Sequence, residues 1–356
     1  TQAETTRAVA VLSHDAGEVE RHQGLSRLLK EADLPHVRVG EVRVFDKAIG
    51  LEGQPSEEAR ASYGGALQLM REIDRLVRSN RTPSTTQVKG VVRSLVDNVL
   101  QNRYAMLQLT GLKNYDEYTF YHSANVAILA LALGAAVTTD YRFLSSLGIG
   151  ALLHDIGKLT VDLEILNKPG ALSPDEWANV RQHPVHGAEM AALMPGLDKS
   201  AIVIILEHHM RYDCAGYPQR VPARTQHLTS RIVAVADSYD AMTSRRAYSA
   251  ARVQDEAMAV MVKSAGNSLD PALVRLFVRL MGVYPPRSVV RLSSGEVGVV
   301  VTPSPLDPVR PLIRVITTPD GAMIDPHDLD LGVDAARSII ACLDPRGLNI
   351  EPDDYV

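Results

Sequence analysis

Seven side chains in the middle of this sequence are of metal-ligating type and sit where such groups are costly: His122, His154, Asp155, His183, His208, His209 and Asp237. His122 opens the apolar stretch HSANVAILALAL, and His154-Asp155 falls in GIGALLHDIGK. His183 lies in QHPVHG, His208-His209 end SAIVIILEHHM, and Asp237 is embedded in RIVAVADSYDAM. A carboxylate or imidazolium in an apolar helix costs on the order of a few kcal/mol unless something pairs it. Metal would satisfy the whole set together. Nitrogen and oxygen ligands without a thiolate suit iron, manganese, nickel or zinc in a reactive centre better than a structural zinc site. Seven ligands exceed the needs of one ion, so two ions sharing a carboxylate are expected. Adjacent helical residues point about 100° apart, so His154 can serve one ion while Asp155 bridges to the other. The same reasoning sends His208 and His209 to two neighbouring ions.

Two ions a few Å apart activate a water and clamp phosphoryl oxygens during in-line displacement. Lys158 lies one turn after His154 and is expected to face the cluster, where its cation would stabilise developing charge or protonate a leaving oxygen. Cys214 is not needed as a nucleophile in such chemistry. His186 is expected in a supporting or surface role, and His22, His36, His227 and His327 at the surface. His14-Asp15 is a second His-Asp pair without partners.

The elements that must hold these residues are helices. ALQLMREIDRLV (66–77) and VVRSLVDNVLQNRYAML (91–107) carry apolar residues at three-and-four spacing. Residues 110–282 continue as a run of helices, and Ser173-Pro174-Asp175-Glu176 reads as a capped helix start. After Pro285-Pro286 the period changes. SVVRLSSGEVGVVV reads as two strands around a turn and LIRVITT as a third. Before residue 55, AVAVL and HVRVGEVRVF are candidate short strands. The expected fold class is mainly α, with an all-helical central domain at 89–284, an N-terminal regulatory region of uncertain fold at 1–88 and a small β appendage at 285–356.

The 356 residues are 46% hydrophobic and 22% charged, with a formal net charge of -5. That balance gives no reason to expect a DNA-binding surface. Cys214 and Cys342 are the only cysteines, which makes no disulfide framework and fits a reducing cytoplasm. The apolar run at 126–137 is too short to span a bilayer and is expected to be a buried helix.

LLHDIGKL, the downstream HP, the paired histidines, GYP and AVADSYDAMTSRRAY, in that order, resemble the HD-GYP subgroup of the HD metal-dependent phosphohydrolases. The resemblance covers roughly residues 112–282. It implies an all-helical domain, two or three iron or manganese ions, and hydrolysis of cyclic di-GMP to linear pGpG and then GMP. Its ligands fall on the seven residues above, with Asp155 as the bridge, and its phosphate lysine falls on Lys158. Its contacts to guanine and phosphate fall on Asp116, Gly216, Tyr217 and Arg246. A homodimer through the N-terminal helical region and a diguanylate cyclase or effector partner are further expectations.

Four positions depart from that pattern. Tyr118 replaces the glutamate of trinuclear members, which favours two ions. Met210 follows the paired histidines where glutamate is usual. Cys214 stands for a glycine in the loop before GYP. Ala247 and Ser249 replace a proline and a basic residue after Arg246, with Arg245 or Arg211 as compensating cations. These departures leave open a cyclic-dinucleotide receptor without turnover, or an enzyme for another cyclic dinucleotide such as cyclic GMP-AMP.

Overall fold

The structure is a computed structural model. It describes residues 55–111, 117–166, 168, 170–219, 225–244, 253–304 and 307–356, except for the side chains of Arg346 and Asp353. The candidate strands before residue 55 and the pair His14-Asp15 lie outside the described residues.

Ser56 caps α1 (Glu57–Arg78) by accepting from the Ala59 amide, with Glu57 and Glu58 in the first turn and Arg75 and Arg78 in the last. These charges complement the helix dipole. Its residues Ala59, Tyr63, Ala66, Leu67, Met70 and Ile73 form one buried stripe. α2 (Thr85–Leu109) follows. It was expected as one continuous helix, but Asn102 leaves helical geometry, and its side-chain oxygen accepts from the Ala105 amide, capping a new segment.

α3 (Tyr118–Ala135) is the apolar run seen in the sequence, and every residue from His122 to Gly134 is buried. α4 (Tyr141–Leu152) and α9 (Leu228–Thr243) pack against it; after short α5 (Leu163–Leu166) and α6 (Pro174–Val180), α7 (His183–Ala192) packs on α8 (Lys199–Glu207), which packs on α4. The capping box of Ser173 and Glu176 forms at the start of α6 as the sequence indicates. α10 (Gln254–Ser264) and α11 (Pro271–Met281) close the bundle. Burying a leucine such as Leu129 or Leu131 contributes roughly 1.5–3 kcal/mol, so truncating either would leave a cavity in the helical core.

α1 shares this core. Its buried stripe packs with Val88, Val92, Leu95, Ile128 and Leu131 in a single cluster. Residue 88, where the domain boundary is expected, falls inside α2, and the apolar face of α1 is covered within the chain.

The C-terminal region is one antiparallel sheet in the order β4-β3-β2-β1-β5, from β1 (Val289–Leu292), β2 (Val297–Thr302), β3 (Leu312–Thr317), β4 (Met323–Asp330) and β5 (Ile339–Leu343). The sequence showed the three central strands only. β4 reads MIDPHDLD and is almost wholly exposed, and both added strands are edges. An edge strand needs no apolar face on its open side and tolerates proline, as β4 does at Pro326.

Candidate metal centre

The ligand-type residues stand at helix ends that converge. His122 lies in the second turn of α3. His154 and Asp155 occupy the break between α4 and a 3-10 turn at Ile156–Thr160. His183 opens α7, His208 and His209 follow the last turn of α8, and Asp237 lies within α9. Gly157 permits the convergence. A Cβ there would collide with the carbonyl oxygen of His183, so only glycine lets the 3-10 turn press against the start of α7.

The backbone then sets the imidazole tautomers. His154 Nδ1 donates to the Ala151 carbonyl, His183 Nδ1 to that of Val180, and His208 Nδ1 to that of Ile205, each at 2.7 Å. A carbonyl can only accept, so each Nδ1 carries the proton and each Nε2 presents a lone pair. His122 is held differently. Its Nδ1 donates to Asp240 Oδ2 at 2.7 Å.

The inward atoms form two groups: His122, His154 and Asp237 in one, and Asp155, His183, His208 and His209 in the other, with ligand atoms inside each within 4.8 Å of one another. Asp155 stands between them. Its Oδ2 is 3.3 Å from His154 Nε2 and 3.7 Å from His122 Nε2, while its Oδ1 is 3.2 Å from His183 Nε2 and 3.7 Å from His208 Nε2. Asp237 Oδ1 lies 3.2 Å from His122 Nε2. This differs from the sequence expectation for the paired histidines, since His208 and His209 fall in the same group. They follow the last turn of α8, and both rings reach the His183 side, with centroids 5.2 and 4.9 Å from it.

These residues fit a metal. His122 Nε2, His154 Nε2 and Asp155 Oδ1 are buried with no hydrogen-bond partner. Leaving such an atom unsatisfied costs roughly 1–3 kcal/mol. Two lone-pair nitrogens, His183 Nε2 and His208 Nε2, stand 3.1 Å apart. Divalent cations would satisfy all of them, and no sulfur is present to select a structural zinc site.

The electrostatics agree. Burial pushes the Asp155 carboxyl up, but Lys158 and His154 outweigh it and hold the group well below its ordinary range. Asp237 is likewise held low, against burial, by His122. Burial would lower His122, yet Asp237 and Asp240 bring it up to about 9. Burial pushes His208 down to about 4 against the pull of Asp155, and burial with His208 depresses His209. His208 and His209 are thus neutral imidazoles, ready to ligate.

Lys158 meets the cluster, donating from Nζ to Asp155 Oδ2 at 2.5 Å. Gly216 is buried where a Cβ would strike the His209 carbonyl, so the loop can fold over that residue. The Tyr217 ring packs on His209, with centroids 4.7 Å apart and planes at 35°. Arg211 instead makes a paired contact with Asp213, at 3.1 and 2.7 Å. Tyr118 stacks on His122 at 5.4 Å and offers a ring where a third ion would need a carboxylate. Cys214 has φ of 65°, the left-handed backbone that the usual glycine adopts freely. His186 is half-buried to the side, 3.3 Å from Thr160 Oγ1. His227, expected at the surface, is half-buried and caps α9. Asp116 and Arg246, with Arg245, Ala247 and Ser249, lie outside the described residues.

Four supporting residues escaped the sequence reading. Asp240 is one turn after Asp237, a spacing that could have flagged it. Asn125 donates from Nδ2 to Asp240 Oδ1 at 3.0 Å, and Tyr63 donates to Asn125 Oδ1 at 2.8 Å. Nothing local marks those two. Arg181 places its guanidinium 4.7 Å above the Tyr217 ring; it lies two residues before His183 but reads as an ordinary surface cation.

Comparison with known proteins bears on this arrangement. The family described as "HD domain" matches residues 94–273, just over half of the chain, and "KOW domain associated with HD domain" matches residues 289–350. The chain is 35% identical over 256 residues to the cyclic di-GMP phosphodiesterase PA4108 of Pseudomonas aeruginosa, covering 72% of this chain and 62% of the relative. It is 35% identical over 175 residues to a cyclic di-GMP phosphodiesterase of Thermotoga maritima, covering 48% and 47%. The chain thus spans less than two thirds of either relative. Bd1817, an HDG"Y"P protein from Bdellovibrio bacteriovorus, superposes with a TM-score of 0.52 at 18% identity, over 73% of this chain and 80% of that one, and shares the fold. Among the described residues no helix is long and apolar enough to cross a membrane. The chain belongs to the HD domain family and carries the ordered motifs of its HD-GYP members.

Proposed function

We propose that this chain hydrolyses cyclic di-GMP to linear pGpG, and to GMP after a second cut, at a centre of two divalent ions, iron or manganese. The observation that carries this reading is the division of the Asp155 carboxylate, one oxygen toward each histidine group. The printed activities of the two relatives support the choice of substrate.

His122, His154, Asp237 and one Asp155 oxygen would hold the first ion. His183, His208, His209 and the other oxygen would hold the second. When bound, such a pair supplies a water nucleophile at neutral pH and Lewis acidity toward the phosphoryl oxygens. Lys158, exchanging its contact with Asp155 for the phosphodiester, steadies the charge that develops and provides a proton for the leaving oxygen. Tyr217, held between His209 and Arg181, presents its ring to guanine, and Gly216 lets the loop approach. Arg181 makes no ion pair among the described residues, so its cation is available to a phosphate. Asp116 and Arg246 are assigned to guanine and phosphate contacts by resemblance alone, and Arg211 is assigned as a cation compensating for Ser249. A homodimer or a diguanylate cyclase partner would use a surface other than the covered face of α1.

The test is anaerobic purification, elemental analysis, and chromatography of products from cyclic di-GMP and cyclic GMP-AMP at equal concentration. About two ions per chain with pGpG appearing is the expected result. Faster cleavage of cyclic GMP-AMP would move the substrate assignment. Tight binding without product would make the chain a receptor.

A further inference from the structure

The first metal position is tied to a helix that lies outside the matched HD region. The hydroxyl of Tyr63, in the second turn of α1, donates to Asn125 Oδ1 at 2.8 Å. Asn125 Nδ2 donates to Asp240 Oδ1 at 3.0 Å and to the Thr110 carbonyl at 3.1 Å. Asp240 Oδ2 accepts from His122 Nδ1 at 2.7 Å and from Ser244 Oγ at 3.2 Å. Tyr63, Asn125, Asp240 and His122 are all buried. The Tyr63 hydroxyl is pushed well above its ordinary range, chiefly by burial, so it remains a donor.

These bonds form one continuous chain from Tyr63 to His122. An amide side chain has one accepting and one donating end. The Asp240 carboxylate and the Thr110 carbonyl can only accept, so the Asn125 nitrogen faces them and its oxygen faces α1, where the Tyr63 hydroxyl donates to it and anchors the amide. That nitrogen occupies Asp240 Oδ1 and leaves Oδ2 aimed at His122. His122 then carries its proton on Nδ1 and turns Nε2 into the cluster. Partners of this kind fix a ligand's tautomer and orientation, and losing one typically costs about 10–100-fold in metal affinity. His183 and His208 in the other group, like His154 in this one, are oriented by their own backbone, so among the described residues this chain of side chains serves His122.

We propose that Tyr63 is a positioning residue for the metal held by His122, and that through it α1 sets the occupancy of one ion and not the other. The inference rests on the two-ion reading above. It places control of the centre at the helix that directly follows the N-terminal 54 residues, so that a shift of α1 would empty or fill one position while the second stays loaded.

The test is Tyr63→Phe, which keeps the ring and its packing and removes only the hydroxyl. Iron or manganese binding is measured by anaerobic titration and elemental analysis, on the full chain, beside the unaltered protein. The expected result is one ion bound as in the parent and the other weakened about 10-fold or more. Turnover should fall in proportion and be restored by excess metal, with KM within about twofold. Two ions at parental affinity in the variant would overturn the proposal. If the variant fails to fold, amide exchange on the parent protein decides. Filling of the weaker position should slow exchange around Tyr63 in α1, because coupling between sites is reciprocal; unchanged exchange there would overturn it. The two-ion reading fails separately, if the parent itself binds fewer than two ions.

Discussion

The two halves of the metal centre differ in how one ligand is held. In the half containing His183 and His208 those two imidazoles are held locally, each by a carbonyl three residues earlier in its own chain segment, and so is His154 in the other half. His122, beside His154, is held instead from α1, α3 and α9, through Tyr63, Asn125 and Asp240. The electrostatics divide the same way. Carboxylates raise His122 to about 9, whereas burial lowers His208 to about 4. A locally built ligand forms whenever its helix end forms. A ligand held by distant partners is open to adjustment, and the cost is dependence on every member of the chain of bonds.

The largest expected effect removes the group that joins the halves. Asp155→Asn should reduce bound metal to less than one ion per chain and turnover by roughly 10³-fold or more, since the two-ion clamp depends on the shared carboxylate. Elemental analysis and product chromatography check both. A variant retaining two ions would mean the halves are independent.

Asp240→Asn should weaken the His122 ion by about 10–100-fold and leave the other ion within about twofold. Titration with metal resolves the two affinities. Equal weakening of both would erase the contrast.

The metal-free protein offers a third test, because the halves should titrate in opposite directions. His122 has a folded value above the ordinary 6.5, so its contribution is complete below pH 6.5 and is lost as pH rises through about 9. His208 has a folded value below 6.5, so its contribution is complete above pH 6.5 and is lost as pH falls through about 4. Thermal melts of chelated protein across this range should show both losses. His122→Ala should remove the alkaline one only.

The smallest effect lies in the loop over the second half. Cys214→Gly should stabilise the protein by about 0.5–1 kcal/mol, because glycine adopts the left-handed backbone at that position without a Cβ clash. Urea unfolding with metal bound measures it. No gain would mean the loop has adapted to the cysteine.

Much of the site was legible in one dimension. Histidines and carboxylates inside apolar helical stretches had to be satisfied by something, and the stretches around His122, His154 and Asp237 announced both the helices and the cost of burial. The central strands were legible as β-branched apolar runs, whereas β4 was not, because an edge strand facing solvent needs no apolar face, and β5 is a short apolar run of five residues that could equally be helical. The kink at Asn102 was hidden because its cause is a side-chain oxygen capping the next segment.

The sequence by itself thus determined the ligand types, the mainly helical class and the chemistry that such ligands can support, since these follow from side-chain identity and periodicity. Only the tertiary structure decided which ligand stands with which. It gathered His208 and His209 with His183, and split the Asp155 oxygens between the groups. It also drew Tyr63 from α1 into the support of His122. Those pairings depend on where helix ends meet in space, and Tyr63 and Asn125 are 62 residues apart in the chain.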